Sequence, residues 1–329
     1  MRQIAQPVAQ PLDAEELTEA ANVVLDRLAL GPDSALLVVS NPELAVIATA
    51  LLTAIERRGG AGRRSEFPAT GRDGADPPAA VAAAMRGQEA IALVTVFSLS
   101  HTQARVNATT DGARIASLPG ITADVFKRTI PVDYEHLETV GRTVAARLTA
   151  AEHCRVTAPG GTDIELALSG RKAICDDGDL SGRAAWGNLP AGEAYISPLE
   201  AHAEGTIVFD GSLAGWGMLE EPLRLEIKGG RLRSAIGGAA ANWLLETLDA
   251  GGPNGRTIAE LGIGTNPNAH ITGVILEDEK AEGTAHFAFG TNTTIGGVNR
   301  ASVHIDGLVR DPFVELDGKP LLRNKHLVL

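Results

Sequence analysis

Three segments near the end of the chain decide how its second half is read: IAELGIG at 258–264, GTAHFAFG at 283–290 and SVHIDG at 302–307. In a β-strand, side chains two positions apart lie on the same face. Phe287 and Phe289 therefore share one face of the second segment, and His286 lies on the other. The other two segments alternate in the same way. All three are predicted to be strands with one apolar face packed against a core.

The second face of each predicted strand carries a side chain of the kind that binds metal ions. Glu260 opposes the apolar residues of its segment, and His304 and Asp306 stand together opposite those of theirs. Imidazole and carboxylate together suit zinc, manganese, cobalt or iron(II). A single His-x-Asp pair is more often a surface histidine beside a solvated aspartate. With Glu260 and His286 on equivalent faces, however, the pattern favours a two-metal hydrolytic site.

Composition limits the class of protein and its partners. The chain has 329 residues, a formal net charge of −12 and two cysteines. This acidity argues against nucleic acid or an anionic membrane as the main partner, because both require a basic surface. The cysteines match no zinc or redox spacing. The first residues contain no apolar leader and no apolar run is long enough to span a bilayer, so we expect a cytoplasmic protein.

The pattern of predicted elements changes about halfway along the chain. Continuous apolar runs at 35–40 and 90–97 alternate with helical segments, which is typical of a doubly wound, mostly parallel sheet. We therefore predict an α/β N-terminal domain over 1–150, ending with a long helix. From 151 to 329, short strands punctuated by glycine predict a strand-rich α+β domain that carries the metal site.

Other candidate residues have weaker support. The run EDEK at 277–280 is interpreted mainly as a solvated turn, and His270 as a loop or supporting histidine. His101 follows the second apolar run, at the edge of the sheet where α/β proteins bind ligands. Together with Arg105 it is a candidate substrate contact, although a helix-capping role is the more common one.

Several motifs resemble a known family. In order, they are NLPAGEAYISP at 188–198, AEGTIVFDGS at 203–212, AELGIGTNP at 259–267, and the His286 and His304 segments. They look like the M29 metalloaminopeptidases of the aminopeptidase T type. They are also similar to the related 2,5-dihydroxypyridine 5,6-dioxygenases, which share the framework. The resemblance implies a homodimer and five metal ligands: Glu193, Glu260, His286, His304 and Asp306.

The chain departs from the peptidase pattern at two of these places. Glu260 stands before Leu-Gly, whereas the peptidase glutamate follows it, and Thr293 occupies the position of a tyrosine close to the peptidase metals. The dioxygenases are expected to carry an iron-binding histidine near the position of Glu260 and to lack His286. The acid and the histidine retained here therefore favour the peptidase ligand set.

The leading functional prediction is an aminopeptidase-type hydrolase that acts on small peptides or aminoacyl amides. Two divalent ions (zinc, cobalt or manganese) would activate a water molecule, with Glu260 or Glu193 carrying the proton. One alternative is a ring-cleaving dioxygenase with a single iron(II) ion. Another is a catalytically silent relative that binds a small peptide or metabolite.

Overall fold

The structure is a computed structural model that describes residues 12–329. The predicted absence of a leader segment concerns residues 1–11 and lies outside the described residues. Two compact units make up the rest. The first comprises the residues up to Asp133 together with Gly178–Ala191, and the second comprises Tyr134–Asp177 and Gly192–Leu329.

Helices and strands alternate irregularly along the described residues. The helices are α1 (Thr18–Arg27), α2 (Ala45–Arg57), α3 (Ala79–Ala84), α4 (Gln103–Asp111), α5 (Ala123–Thr129), α6 (Tyr134–Ala150), α7 (Gly238–Ala250) and α8 (Ile275–Asp278), with a 3-10 helix at Pro42–Leu44. The strands of the first half are β1 (Ala35–Ser40), β2 (Ala61–Glu66), β3 (Ala90–Val94), β4 (Arg114–Ser117), β5 (His153–Thr157), β6 (Asp163–Ala167), β7 (Ile174–Asp176), β8 (Trp186–Asn188) and β9 (Glu193–Ile196). Those of the second half are β10 (Ala203–Phe209), β11 (Ser212–Leu213), β12 (Gly217–Met218), β13 (Leu223–Lys228), β14 (Arg231–Ile236), β15 (Ile258–Gly264), β16 (Ala285–Gly290), β17 (His304–Val309), β18 (Phe313–Leu316), β19 (Lys319–Arg323) and β20 (His326–Leu327).

The first unit contains a five-stranded parallel sheet in the order β2-β1-β3-β4-β8. The order runs outward from β1 in both directions, as in a doubly wound fold. All residues of β3, and all but the first of β1, are buried, as expected for strands covered on both faces. The predicted α/β character of this part is confirmed.

The second unit is built from two antiparallel sheets. One has eight strands in the order β14-β13-β10-β6-β5-β18-β19-β20, and the other has seven in the order β12-β11-β17-β16-β15-β9-β7. A single hydrophobic cluster contains buried side chains from both sheets and from α6 and α7. The predicted strand-rich character of the second half is therefore confirmed.

The two units of the structure are not divided by the single domain boundary near residue 150 that the sequence predicted. Helix α6 belongs to the second unit, because Val140, Val144 and Leu148 lie in that unit's hydrophobic cluster. The chain then returns to the first unit at Gly178–Ala191, because β8 pairs with β4 and completes the parallel sheet.

Two smaller sequence expectations concern cysteines and membrane segments. Cys154 and Cys175 are both free, and burial raises the pKa of the Cys175 thiol to about 12. Between residues 12 and 329, no helix has both the length and the apolar character needed to cross a membrane.

Asn41 joins three strand ends of the parallel sheet. It directly follows β1 and is 1% exposed. Its Nδ2 donates to the Phe67 carbonyl, just after β2, at 2.8 Å. Its Oδ1 accepts from the Val96 amide, just after β3, at 2.7 Å. One amide side chain therefore fixes the carboxyl edge of the sheet.

Replacing Asn41 with alanine should lower the free energy of unfolding by about 2–4 kcal/mol, because two backbone groups lose their partners. Denaturant unfolding followed by circular dichroism measures this. Asn107→Ala, which removes one hydrogen bond with Gln103 on the surface of α4, is the matched control and should change stability by less than about 0.5 kcal/mol. Equal losses in the two variants would contradict the role given to Asn41.

Candidate metal site

The central strands of the seven-stranded sheet bring the predicted ligands to one face. Strands β15, β16 and β17 are neighbours and antiparallel. Glu260 pairs with Ala288, which pairs in turn with Asp306, and His304 lies opposite Gly290. Because β16 carries only small residues at these positions, the side chains of the two outer strands meet across it. The alternation predicted for these segments is confirmed.

Glycine makes room for the remaining predicted ligands. Gly262 pairs with His286, and a Cβ atom at Gly262 would lie 2.1 Å from the imidazole ring, so the ring lies directly over this glycine. On the other side of β15, strand β9 places Glu193 opposite Gly264. Tyr195 follows on the same face of β9, opposite Gly262.

Glu260, His304 and Asp306 form a first ligand group, whose ligand atoms lie within 4.8 Å of one another. His304 Nε2 lies 3.5 Å from Glu260 Oε2 and 3.4 Å from Asp306 Oδ1. Its Nδ1 lies 2.8 Å from the Thr291 carbonyl, to which it must donate because a carbonyl only accepts. In the neutral imidazole, the Nε2 lone pair then points toward two carboxylates. Either a proton on Nε2 or a metal ion satisfies the two carboxylates, and the set of one imidazole and two carboxylates fits a divalent metal ion.

Glu193, Glu279 and His286 form a second ligand group, whose ligand atoms also lie within 4.8 Å of one another. His286 Nε2 lies 3.3 Å from Glu193 Oε2 and 3.3 Å from Glu260 Oε1, and so lies between the two groups. Among the described residues, Glu193 Oε2 and His286 Nδ1 are buried without a hydrogen bond of good geometry. Lys280 also contacts this group. Its Nζ donates to Glu193 Oε1 and to Glu279 Oε1, each at 2.6 Å.

The electrostatics of the site favour positive charge. Burial by itself would raise the pKa of Glu260, but hydrogen bonds from His286 and His304 lower it to about 2. Burial would lower the pKa of His304, yet the neighbouring Asp306 and Glu260 raise it well above its usual value. Burial raises the pKa of Glu279 to about 8, although Lys280 opposes this shift. The carboxylates therefore stabilise whatever cation lies among them.

Sequence reasoning missed two members of the site, Glu279 and Lys280. The interpretation of residues 277–280 as a mainly solvated turn is wrong, because Glu277, Asp278 and Lys280 are all 0% exposed. Glu277 and Asp278 accept hydrogen bonds from the backbone of the loop at 270–273. The available signal was a cluster of charges immediately before the strand that carries His286.

Other candidates do not join the two ligand groups. The His270 side chain is exposed and its backbone amide donates to Glu277, while Thr293 is exposed. In the first unit, the cap of α4 is Thr102 rather than His101. The His101 ring instead lies edge-on to Trp186, and the Arg105 guanidinium stacks 3.9 Å from the centre of that indole.

Comparison with known proteins places the chain in a family. A sequence model of the NicX family, 2,5-dihydroxypyridine 5,6-dioxygenase, matches residues 19–329. The chain belongs to this family. A 2,5-dihydroxypyridine 5,6-dioxygenase of Pseudomonas putida is 26% identical over 254 residues, which cover 73% of this chain and 72% of the relative.

Two solved structures share the fold. The 2,5-dihydroxypyridine dioxygenase of Pseudomonas putida KT2440 superposes with a TM-score of 0.82 at 21% identity, covering 97% of this chain and 98% of the other. Wild-type AmpT from Thermus thermophilus gives 0.68 at 18% identity, covering 96% and 99%. At these identities the structural matches establish the fold alone. The family match confirms the predicted relationship to the dioxygenases, and the structural match confirms the fold predicted to be shared with the aminopeptidase T type.

Gly262→Ala should lower the free energy of unfolding by about 1–3 kcal/mol, because the new methyl group collides with the fully buried His286 ring. The cost should shrink by at least about 1 kcal/mol when His286 is already alanine, as a double-mutant cycle would show. Denaturant unfolding in the presence of a chelator measures all four proteins.

Gly264→Ala is the matched control for this cycle. Its Cβ atom would lie 2.1 Å from the Ala281 carbonyl oxygen rather than from the imidazole, so its cost should not depend on His286. If the effects of Gly262→Ala and His286→Ala simply add, the ring does not lie where the structure places it.

Proposed function

We propose that the chain is a metal-dependent dioxygenase that opens a hydroxylated, nitrogen-containing aromatic ring. One divalent ion, iron(II), would be held by Glu260, His304 and Asp306. The observation that carries the proposal is the His304 imidazole, whose Nδ1 is committed to the Thr291 carbonyl and whose Nε2 faces two carboxylates. Membership of the 2,5-dihydroxypyridine 5,6-dioxygenase family supports the ring chemistry.

The ligand set suits this assignment. Iron(II) in oxygen-activating enzymes is commonly held by a small number of imidazole and carboxylate ligands that leave positions open for substrate. Here one imidazole and two carboxylates converge, which differs from the more common set of two imidazoles and one carboxylate. When bound, such an ion supplies the redox chemistry that allows molecular oxygen to react with an aromatic ring.

The protein's own groups would position the reactants and manage protons. The Thr291 carbonyl fixes the tautomer and orientation of His304, so that Nε2 is available to the ion. His286 Nε2, between Glu193 and Glu260, can hold a proton at the edge of the site. The Tyr195 phenol lies on the same face of the sheet and is a candidate hydrogen-bonding partner for a ring hydroxyl group.

A second candidate is the two-metal aminopeptidase, which would cleave small peptides with zinc, cobalt or manganese. The observation that favours it is the second ligand group beside the first, together with the fold shared with AmpT. Glu193 or Glu260 would then carry the proton to the leaving amine. Against it, the ammonium group of Lys280 already contacts both carboxylates of the second group. A homodimer remains a prediction for either candidate.

To distinguish the two candidates, the metal-free protein is reconstituted with iron(II) under anaerobic conditions. In parallel, it is reconstituted with zinc, cobalt or manganese. Each form is then tested with 2,5-dihydroxypyridine and with an aminoacyl reporter. The dioxygenase predicts oxygen uptake and loss of the ring absorbance in the iron form alone, at one ion per chain. Reporter hydrolysis by a form with two ions, without oxygen uptake, would instead establish the peptidase.

His304→Ala should weaken binding of the first ion by more than about tenfold, because it removes a direct ligand, and should abolish oxygen uptake. Metal affinity is measured by competition with a coloured chelator. The control is His202→Ala, which removes an exposed histidine of the same unit and should leave affinity unchanged. Unchanged metal affinity in His304→Ala would rule out the first ligand group as the site.

A further inference from the structure

Lys280 is a fully buried lysine surrounded by acids. Its side chain is 0% exposed, and its Nζ lies 2.6 Å from Glu193 Oε1, 2.6 Å from Glu279 Oε1 and 3.8 Å from Asp176 Oδ2. Two acidic oxygen atoms at 2.6 Å and a third at 3.8 Å surround the Nζ atom, which is the arrangement expected around a paired, buried ammonium group. A buried charge is tolerated only when it is paired in this way.

The ammonium group contacts the same side chains that could hold a second metal ion. Glu193 and Glu279, with His286, are the members of the second ligand group. Glu193 Oε2 has no hydrogen bond of good geometry and lies 3.3 Å from His286 Nε2, so the carboxylate and the imidazole each keep a ligand atom in this group even with Lys280 in place. The group would accept a divalent ion, but the positive charge of Lys280 would repel it and Nζ already engages both carboxylates.

We propose that the Lys280 ammonium takes the place of a second divalent ion, so that the protein holds one ion where the second ligand group would otherwise hold another. Lys280 is thus a positioning residue. Its charge keeps Glu193 and Glu279 together and reserves the first ligand group for the single ion. The inference rests on the proposed function for the identity of that first site, but not on the reaction performed there.

Removing the charge of Lys280 should create a second metal site. Metal-free wild type and Lys280→Met are equilibrated with excess Zn²⁺, desalted and analysed for zinc per chain by mass spectrometry. The expected result is one ion in the wild type and two in Lys280→Met. Adding Glu193→Gln to Lys280→Met should return the count to one, because a ligand of the new site is lost.

Two matched variants separate charge from other effects. Lys228→Met removes an exposed lysine of β13 and should keep one ion. Lys280→Arg keeps the positive charge and should also keep one. If Lys280→Met is not recovered folded, Lys280→Gln, which can still hydrogen-bond the two carboxylates, serves in its place with the same expected gain of one ion.

Failure of this inference differs from failure of the proposed function. A folded Lys280→Met with one ion overturns the inference and leaves the single-ion dioxygenase intact. Two ions in the wild type overturn the inference and favour the peptidase. If the wild type binds no zinc, the first ligand group is not a metal site. The inference about Lys280 then stands only if Lys280→Met binds one ion. If Lys280→Met also binds none, both the inference and the proposed metal site are overturned.

Discussion

A cluster of buried acidic side chains is the constraint on which the second unit depends. Glu193, Glu260, Glu279 and Asp306 converge around two imidazoles, and in the described part of this site they are faced by one ammonium group, that of Lys280. Removing a charge from water costs several kcal/mol unless it is paired. The arrangement is therefore stable only with cations among the carboxylates. Lys280 supplies one, and either protonated imidazoles or a metal ion at the first ligand group would supply the others.

The sheet is arranged to hold this charge in one place. All the ligands except Glu279, which follows α8, come from β9, β15, β16 and β17, and their side chains share a face because the strands pair in a fixed register. A slip of one residue would turn every ligand toward the hydrophobic core, so the register and the site depend on each other. The opposite face packs Phe287 and Phe289 into that core, which stabilises the register.

Much of this arrangement was predictable from sequence because it is local. Two-residue alternation placed Glu260, His286, His304 and Asp306 on polar faces, and the continuous apolar runs indicated a parallel sheet. Non-local pairing was not predictable. Strand β8 returns to the first unit because it pairs with β4, which no local pattern signals. Lys280 looked solvated because its partners Glu193 and Asp176 lie about a hundred residues earlier in the chain.

The central claim is that one metal ion occupies the first ligand group while Lys280 fills the second. Anomalous X-ray diffraction from crystals of the iron(II)-loaded wild type, recorded at the iron edge, tests it most directly. The account predicts one anomalous peak per chain, within bonding distance of Glu260, His304 and Asp306. A peak among Glu193, Glu279 and His286, alone or as a second ion, would contradict it.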